Sequence, residues 1–229
     1  DVFLGLHSHN YVYNITNMIK RTITENLKNL SFSAFLFGPR QVGKTFLIKS
    51  TLQSDLFINL LKEEEFFRYA RSPGLLAKEV KGLKKKNPLV VIDEVQHLPN
   101  LLGDVQALID DEPKARFLLT GSSARKLKKK GTNLLGGRAL TLRLHPFTSE
   151  ELGADFSLET AMHFGSLPPI HLASKPDDKM KLLRSYVITY LKEEIQQEAL
   201  VRNVPAFSYF LDLAGFENGN LLSFSNLSR

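Results

Sequence analysis

The sequence predicts an α/β fold, a parallel sheet covered by helices on both faces, and three observations carry that reading. Short apolar runs alternate with segments of helical period from Met18 to Leu144, the pattern of strand-helix-strand units whose strands share one sheet. A glycine-rich octapeptide, Gly38-Pro39-Arg40-Gln41-Val42-Gly43-Lys44-Thr45, joins the first apolar run to the helix-like segment after it. The run Leu89-Val90-Val91-Ile92, three of its residues β-branched, ends in Asp93 and Glu94, as expected of a strand buried on both faces.

Residues 1–17 show no clear period and read as a lead-in. His7 and His9 there have metal-ligating side chains but no accompanying carboxylate or cysteine, so they define no site. Met18, Ile19, Ile23, Leu27 and Leu30 recur at helical spacing and predict a helix over 18–30, leading into a first strand over 33–37. Phe46, Leu47, Ile48 and Leu52 predict a helix from about Lys44 to Gln53, and 56–60 reads as the second strand. Two helices, 63–69 and 75–83, are separated by the turn signal Ser72-Pro73-Gly74. The third strand is the one ending in Asp93. Leu101, Leu102, Val105, Leu108 and Ile109 form one helical face closed by Pro113, and 116–120 is the fourth strand. Alternation of Leu140, Leu142 and Leu144 makes 139–144 the fifth. Beyond Pro146 the pattern turns helical: Met180, Leu183, Val187, Tyr190 and Leu191 mark a long amphipathic helix, Phe207, Phe210, Leu211 and Ala214 a shorter one, and 221–227 opens another element. The chain thus divides into a lead-in over 1–17, an α/β domain over 18–155 and a helical region over 156–229.

The octapeptide matches G-x-x-x-x-G-K-[ST], and its place between strand and helix is what its chemistry requires. Gly38 and Gly43 let the backbone turn so that N–H groups of the loop point inward at phosphate oxygens. Lys44 is placed to reach the β and γ phosphates of ATP, and the Thr45 hydroxyl to ligate Mg²⁺. Arg40 has two readings, approach to the phosphates or solvated packing. Asp93, at its strand's C-terminal end, can hold Mg²⁺ through water, and Glu94 can polarise an attacking water as general base. Alone, that pair could equally be a solvated acidic turn; a phosphate loop upstream favours the hydrolytic reading. The loops after Phe37, Ile92 and Thr120 all fall on the C-terminal edge of a parallel sheet, where ligands bind.

Composition sets outer bounds. With 229 residues, 43% hydrophobic and 24% charged, the chain can bury a core without staples. Zero cysteines exclude disulfides, thiolate metal sites and thiol catalysis, and fit a reducing cytosol. No apolar run approaches a membrane span and no signal-peptide order opens the chain, so a soluble cytoplasmic protein is expected. The first residue is Asp rather than Met, which suits a fragment or a processed chain. The net charge is +6, with the excess concentrated at Lys81 and Lys84-Lys85-Lys86, and at Lys126 and Lys128-Lys129-Lys130. A nucleic-acid footprint is one reading; solvated loop ends are favoured, because no aromatic residues interleave with the lysines.

Taken in order, GPRQVGKT at 38–45, VVIDEVQHLPNL at 90–101, LLTGSSARKL at 118–127, GGRALTLRLHPFTSEEL at 136–152 and FGSLP at 164–168 resemble the predicted archaeal and bacterial ATPases of the AAA superfamily. Those proteins carry a C-terminal winged-helix region and an associated domain of uncharacterised function. The resemblance runs from about Met18 to the end. It implies a P-loop NTPase three-layer sandwich with sheet order 5-1-4-3-2, and a polar sensor of the γ-phosphate on the fourth strand. That sensor maps onto Thr120 or Ser122, where the asparagine of many relatives is missing. Arg138, after Gly136-Gly137, falls where similar ATPases place an arginine able to reach a γ-phosphate, its own or a neighbour's in a homo-oligomer; a surface arginine before a strand is the other reading. Residues 186–195 resemble the helix preceding the winged helix, and 207–229 its opening, which implies a truncated winged helix and a possible contact with nucleic acid through it.

Two other functions compete. A guanine-nucleotide switch uses the same loop, but Ser174-Lys175-Pro176-Asp177 departs from the base-reading signature at its first residue and lies beyond the fifth strand. An ATP-gated interaction or DNA-binding module without turnover is the stronger rival: the truncated winged helix and the basic loops favour it, and Glu94 argues against it, because a pure binder has no need of a carboxylate there.

Overall fold

The computed structural model describes residues 19–111, 115–122, 124, 127, 135–190 and 203–219. Met18, Pro113, Leu191, the Lys126–Lys130 cluster and 221–227 lie outside the described residues, as do His7 and His9.

Five strands form one sheet: β1 Ser33–Phe37, β2 Leu56–Asn59, β3 Leu89–Asp93, β4 Arg116–Gly121 and β5 Ala139–Arg143. All pairings are parallel, in the order β2-β3-β4-β1-β5. Read from the other edge this is 5-1-4-3-2, as the family resemblance implies. The three inner strands are apolar on both faces because helices cover both. Successive side chains alternate between the faces, which separates two cores. On one face Phe35, Phe37, Val90, Ile92, Phe117 and Leu119 meet α4 Leu75–Gly82 and α5 Leu101–Asp110 through Leu76, Val80, Leu102, Val105 and Leu108. On the other Ala34, Leu36, Val91 and Leu118 meet α1 Thr24–Lys28 and α2 Lys44–Thr51 through Leu27, Leu47 and Ile48. A further helix, α3 Glu63–Arg71, adds Tyr69 to the first core. The edge strand β5 keeps Leu140 at 47% exposure.

The helix expected over 18–30 is confined to Thr24–Lys28. The residues before it are committed elsewhere: the Thr22 N–H donates to the Glu151 carboxylate at 2.9 Å instead of continuing a helical ladder. After β5 come three short helices that periodicity did not reveal, α6 Ser149–Leu152, α7 Leu158–Phe164 and α8 Pro168–His171, followed by α9 Pro176–Tyr190 and, separately, α10 Val204–Phe216. Four-residue helices such as α6 and α8 are too short to show a period, so capping sets them. Thr148 and Glu151 form a reciprocal capping box on α6, and Pro168 opens α8.

Among the described residues no helix is long and apolar enough to cross a membrane. Lys81, Lys84, Lys85 and Lys86 are exposed at the end of α4, before β3 and therefore at the sheet edge opposite the phosphate loop. Lys85 pairs with Asp55 at 2.7 Å, which agrees with the loop-end reading of this cluster.

Candidate nucleotide-binding site

Parallel register brings three loops together at one edge. Phe37 is level with Gly121, and Ile92 with Leu119, so residues 38–45, 93–94 and 120–122 converge at the C-terminal ends of the strands. Gly38 is sterically required: a Cβ there would lie 2.3 Å from the Leu144 carbonyl oxygen. Gln41 and Gly43 are both left-handed, at φ 65° and 88°, while Val42 between them is fully buried and holds the loop on the core. Pro39 and Gln41 are exposed and Arg40 is half-buried. Gly43 then begins α2 as its N-cap residue, so the loop delivers its backbone donors at a helix N-terminus, where anions are favoured.

Lys44 is 5% exposed. Its Nζ donates to the carbonyls of Gly38 at 2.8 Å and Pro39 at 3.1 Å, and lies 3.6 Å from Glu94 Oε1. The Thr45 hydroxyl donates to Asp93 Oδ2 at 2.7 Å, bringing together the two side chains that the sequence assigned to one metal ion. Asp93 is wholly buried, and its other oxygen accepts a hydrogen bond from the Thr120 hydroxyl. Thr120 Oγ1 in turn accepts the Glu94 N–H at 2.9 Å.

The chain turns sharply here. Glu94 adopts φ 59°, ψ 49°, a left-handed conformation that costs a non-glycine residue on the order of 1 kcal/mol. The Thr120 contact fixes that turn from the adjacent strand, and the Gln96 amide holds Glu94 Oε2. The Glu94 carboxylate is therefore kept beside Lys44 instead of projecting into water. Ser122 Oγ is buried and makes no hydrogen bond among the described residues. An unpartnered buried hydroxyl at this edge, with a hydroxyl–carboxylate pair and a loop that ends at a helix N-terminus, fits a nucleotide with its magnesium ion.

Two expectations meet a different geometry. The Thr120 hydroxyl is committed to Asp93 and the Glu94 N–H, so Ser122 is the better placed of the two sensor candidates. Arg138 precedes β5, whose first residue is level with Ser33; it stands at the N-terminal edge, on the order of 15 Å along the sheet from the phosphate loop of its own chain. There its Nε is 2.8 Å from both carboxylate oxygens of Asp110, and that carboxylate holds the guanidinium pKa above its ordinary value.

Sequence reading missed Arg21 and Glu151. Arg21 is 6% exposed, donates from Nη1 to the Val42 carbonyl at 3.0 Å and from Nη2 to the His145 carbonyl, and pairs with Glu151 at 3.0 Å. Glu151 also accepts from Thr22 and from the Thr148 N–H. Burial alone would push its carboxyl pKa up, but the hydrogen bonds from Thr22, Arg21 and Thr148 outweigh it and hold the group below its ordinary value. The Thr148-x-x-Glu151 spacing was a legible capping signal; its link to Arg21 was not.

A parallel sheet in this order, with a glycine-rich loop after β1 and an acidic pair after β3, defines a P-loop nucleotide-binding fold of the AAA type. Residues 31–153 match the AAA domain family, and the chain belongs to it. Residues 155–229 match a domain of unknown function, DUF8612. Uncharacterized protein Rv2008c of Mycobacterium tuberculosis and Uncharacterized protein Mb2031c of Mycobacterium bovis are each 27% identical over 195 residues, or 85% of this chain. The chain spans 43% of the length of these relatives. Among solved structures, the Aeropyrum pernix ORC2 protein in its ADP form is similar at a TM-score of 0.42 and 19% identity, over 63% of this chain and 52% of that one. A Pif1 helicase from a study of unwinding at forked dsDNA is similar at a TM-score of 0.41 and 13% identity, over 73% and 52%.

The hydroxyl bridge makes a stability prediction. Thr120→Val, similar in shape but without a hydroxyl, leaves Asp93 Oδ1 and the Glu94 N–H unpaired and should cost about 1–3 kcal/mol in urea unfolding, whereas Thr120→Ser should retain most of that. Equal losses in the two variants would show that shape and not the hydroxyl matters.

Glu151 sets a pH dependence. Its folded pKa lies below its unfolded one, so its contribution is complete above the ordinary glutamate pKa and is lost as pH falls through the folded value. The stability difference between the parent and Glu151→Gln, followed by denaturant titration from pH 7 to pH 3, should shrink over that acidic window. A difference that stays constant across it would contradict the assignment.

Proposed function

We propose that this chain binds ATP with Mg²⁺ and hydrolyses it, and that turnover drives a change in the helical region over 156–229, in which 207–229 belongs to a winged helix. The observation that carries this reading is the 2.7 Å contact between Thr45 and Asp93, flanked by Lys44 and Glu94. In it the backbone of Gly38 to Lys44 cradles the phosphates, with Arg40 beside them. Lys44 exchanges a loop carbonyl for a phosphate oxygen, and such charge-assisted bonds are the stronger kind. Thr45 and Asp93 would hold the metal ion, which would supply charge neutralisation on the phosphates. Glu94 takes the proton of a water as its oxygen attacks the γ phosphorus and the bond to the ADP oxygen breaks. Ser122 contacts the γ-phosphate, and Thr120 keeps Asp93 and Glu94 in place. The close packing of Gly38 on Leu144 supports a mechanical link from the loop to the segment after β5.

Phosphate release from Mg-ATP by the purified protein, with and without DNA, tests this reading. Lys44→Ala should lose the thermal stabilisation that ATP confers on the parent, with the fold intact. Glu94→Gln should keep ATP binding while turnover falls on the order of 100-fold, as for loss of a general base. Parental turnover in Glu94→Gln would place the base elsewhere; ATP binding without phosphate release in the parent would make the protein an ATP-gated binding module.

The distance between Arg138 and its own phosphate loop favours action on a neighbouring copy's nucleotide. Arg138→Ala and Glu94→Gln should each be inactive alone yet regain activity when mixed, since a mixed oligomer contains sites with both groups intact. Absence of recovery, with subunit exchange demonstrated, would remove Arg138 from the site.

A further inference from the structure

The Arg21 cluster lies outside the octapeptide and the acidic pair, and a peptide-plane argument links it to the phosphate loop. In a planar trans peptide the carbonyl and the following N–H point in opposite directions. The Val42 carbonyl and the Gly43 N–H belong to one such unit. Arg21 Nη1 holds the Val42 oxygen at 3.0 Å, so the Gly43 N–H points away from Arg21. On its Gly43 side this unit has little intrinsic preference. Gly43, at φ 88°, lacks the side chain that would disfavour a flipped peptide. An external anchor supplies the preference.

The anchor is itself fixed. Its guanidinium meets acceptors in several directions, Val42 O, His145 O and Glu151, and stacks 4.9 Å from the Phe147 ring centroid. Only a planar fork of N–H groups meets such a set at once; the single ammonium of lysine does not. Glu151 holds Arg21 while capping α6, so the segment after β5 contributes to the phosphate loop's geometry.

We infer that Arg21 is a positioning residue for nucleotide binding: it presets the Val42–Gly43 peptide so that the Gly43 N–H faces the phosphates, and Glu151 holds Arg21 in that role. This rests on the proposed binding of ATP at the loop. It makes loop order before binding depend on a residue far upstream in sequence and on one beyond β5.

The test uses the whole protein and the variants Arg21→Lys and Glu151→Gln, both milder than truncation. Mg-ATP affinity is measured by titration calorimetry and loop order by amide hydrogen exchange without nucleotide. Arg21→Lys should weaken Mg-ATP binding on the order of tenfold, the scale of one charge-assisted hydrogen bond, while the rate at saturating ATP changes less than about threefold, as expected when ground-state binding is lost. Exchange in the peptide over 38–45 should accelerate, with β1 and β3 unchanged. Glu151→Gln should move both readouts in the same direction by less. Parental affinity and loop exchange in a folded Arg21→Lys protein, even with a lowered melting temperature, would overturn the inference and leave Arg21 a structural residue. A parent that binds no nucleotide would overturn the ATP reading and this inference with it; a parent that binds while Arg21→Lys binds equally well would overturn this inference alone.

Discussion

A carboxylate with no exposure to water, Asp93, is the constraint on which the rest of the site depends. A buried carboxylate is tolerated only when its oxygens are hydrogen-bonded, and both oxygens of Asp93 accept hydroxyl donors from different elements, Thr45 on α2 and Thr120 on β4. That requirement fixes the position of α2 relative to β3 and the register of β4 beside it. It also sets up the next residue: the hydroxyl that donates to Asp93 accepts the Glu94 N–H, and so stabilises a left-handed turn that Glu94 would otherwise disfavour. Strain in the backbone, a buried charge and two hydroxyls therefore form one unit. Its output is a second carboxylate held beside a lysine at the strand edge.

What was legible in the sequence was local in origin. The inner strands could be read because burial on both faces makes them continuously apolar, and the octapeptide because each of its glycines answers a local need, a close approach at Gly38 and a positive φ at Gly43. The sheet order came through family resemblance, since nothing in the periodicity of β1 says that β4 lies beside it. The helix over 18–30 was overextended because apolar spacing does not register that Arg21 and Thr22 have distant partners. The sensor role of Thr120 follows from the family resemblance, which puts a polar sensor on the fourth strand, whereas its two hydrogen bonds depend on how β3 and β4 align.

Arg138 shows how far strand polarity reasoning reaches. In an all-parallel sheet, a residue before a strand lies at the edge opposite the loops that follow strands, so its separation from the phosphate loop was implicit in the sequence order.

The same polarity sets conditions on any shared site. The phosphate loop and acidic pair occupy one edge of the sheet and Arg138 the other, so a copy that lends its arginine must bring its N-terminal edge to the C-terminal edge of its neighbour. Stacked head to tail, that is a heterologous contact, which closes into a ring if the rotation between copies allows and otherwise continues. The Asp110 carboxylate does not forbid the exchange. Both partners of this ion pair are substantially exposed, where water and salt screen the attraction, so the guanidinium can leave a solvated carboxylate for a more highly charged phosphate. A buried acidic partner would have tied Arg138 to its own chain, as Glu151 ties Arg21. The exposure of each pair thus separates an arginine available to a neighbour from one fixed in the architecture of its own phosphate loop.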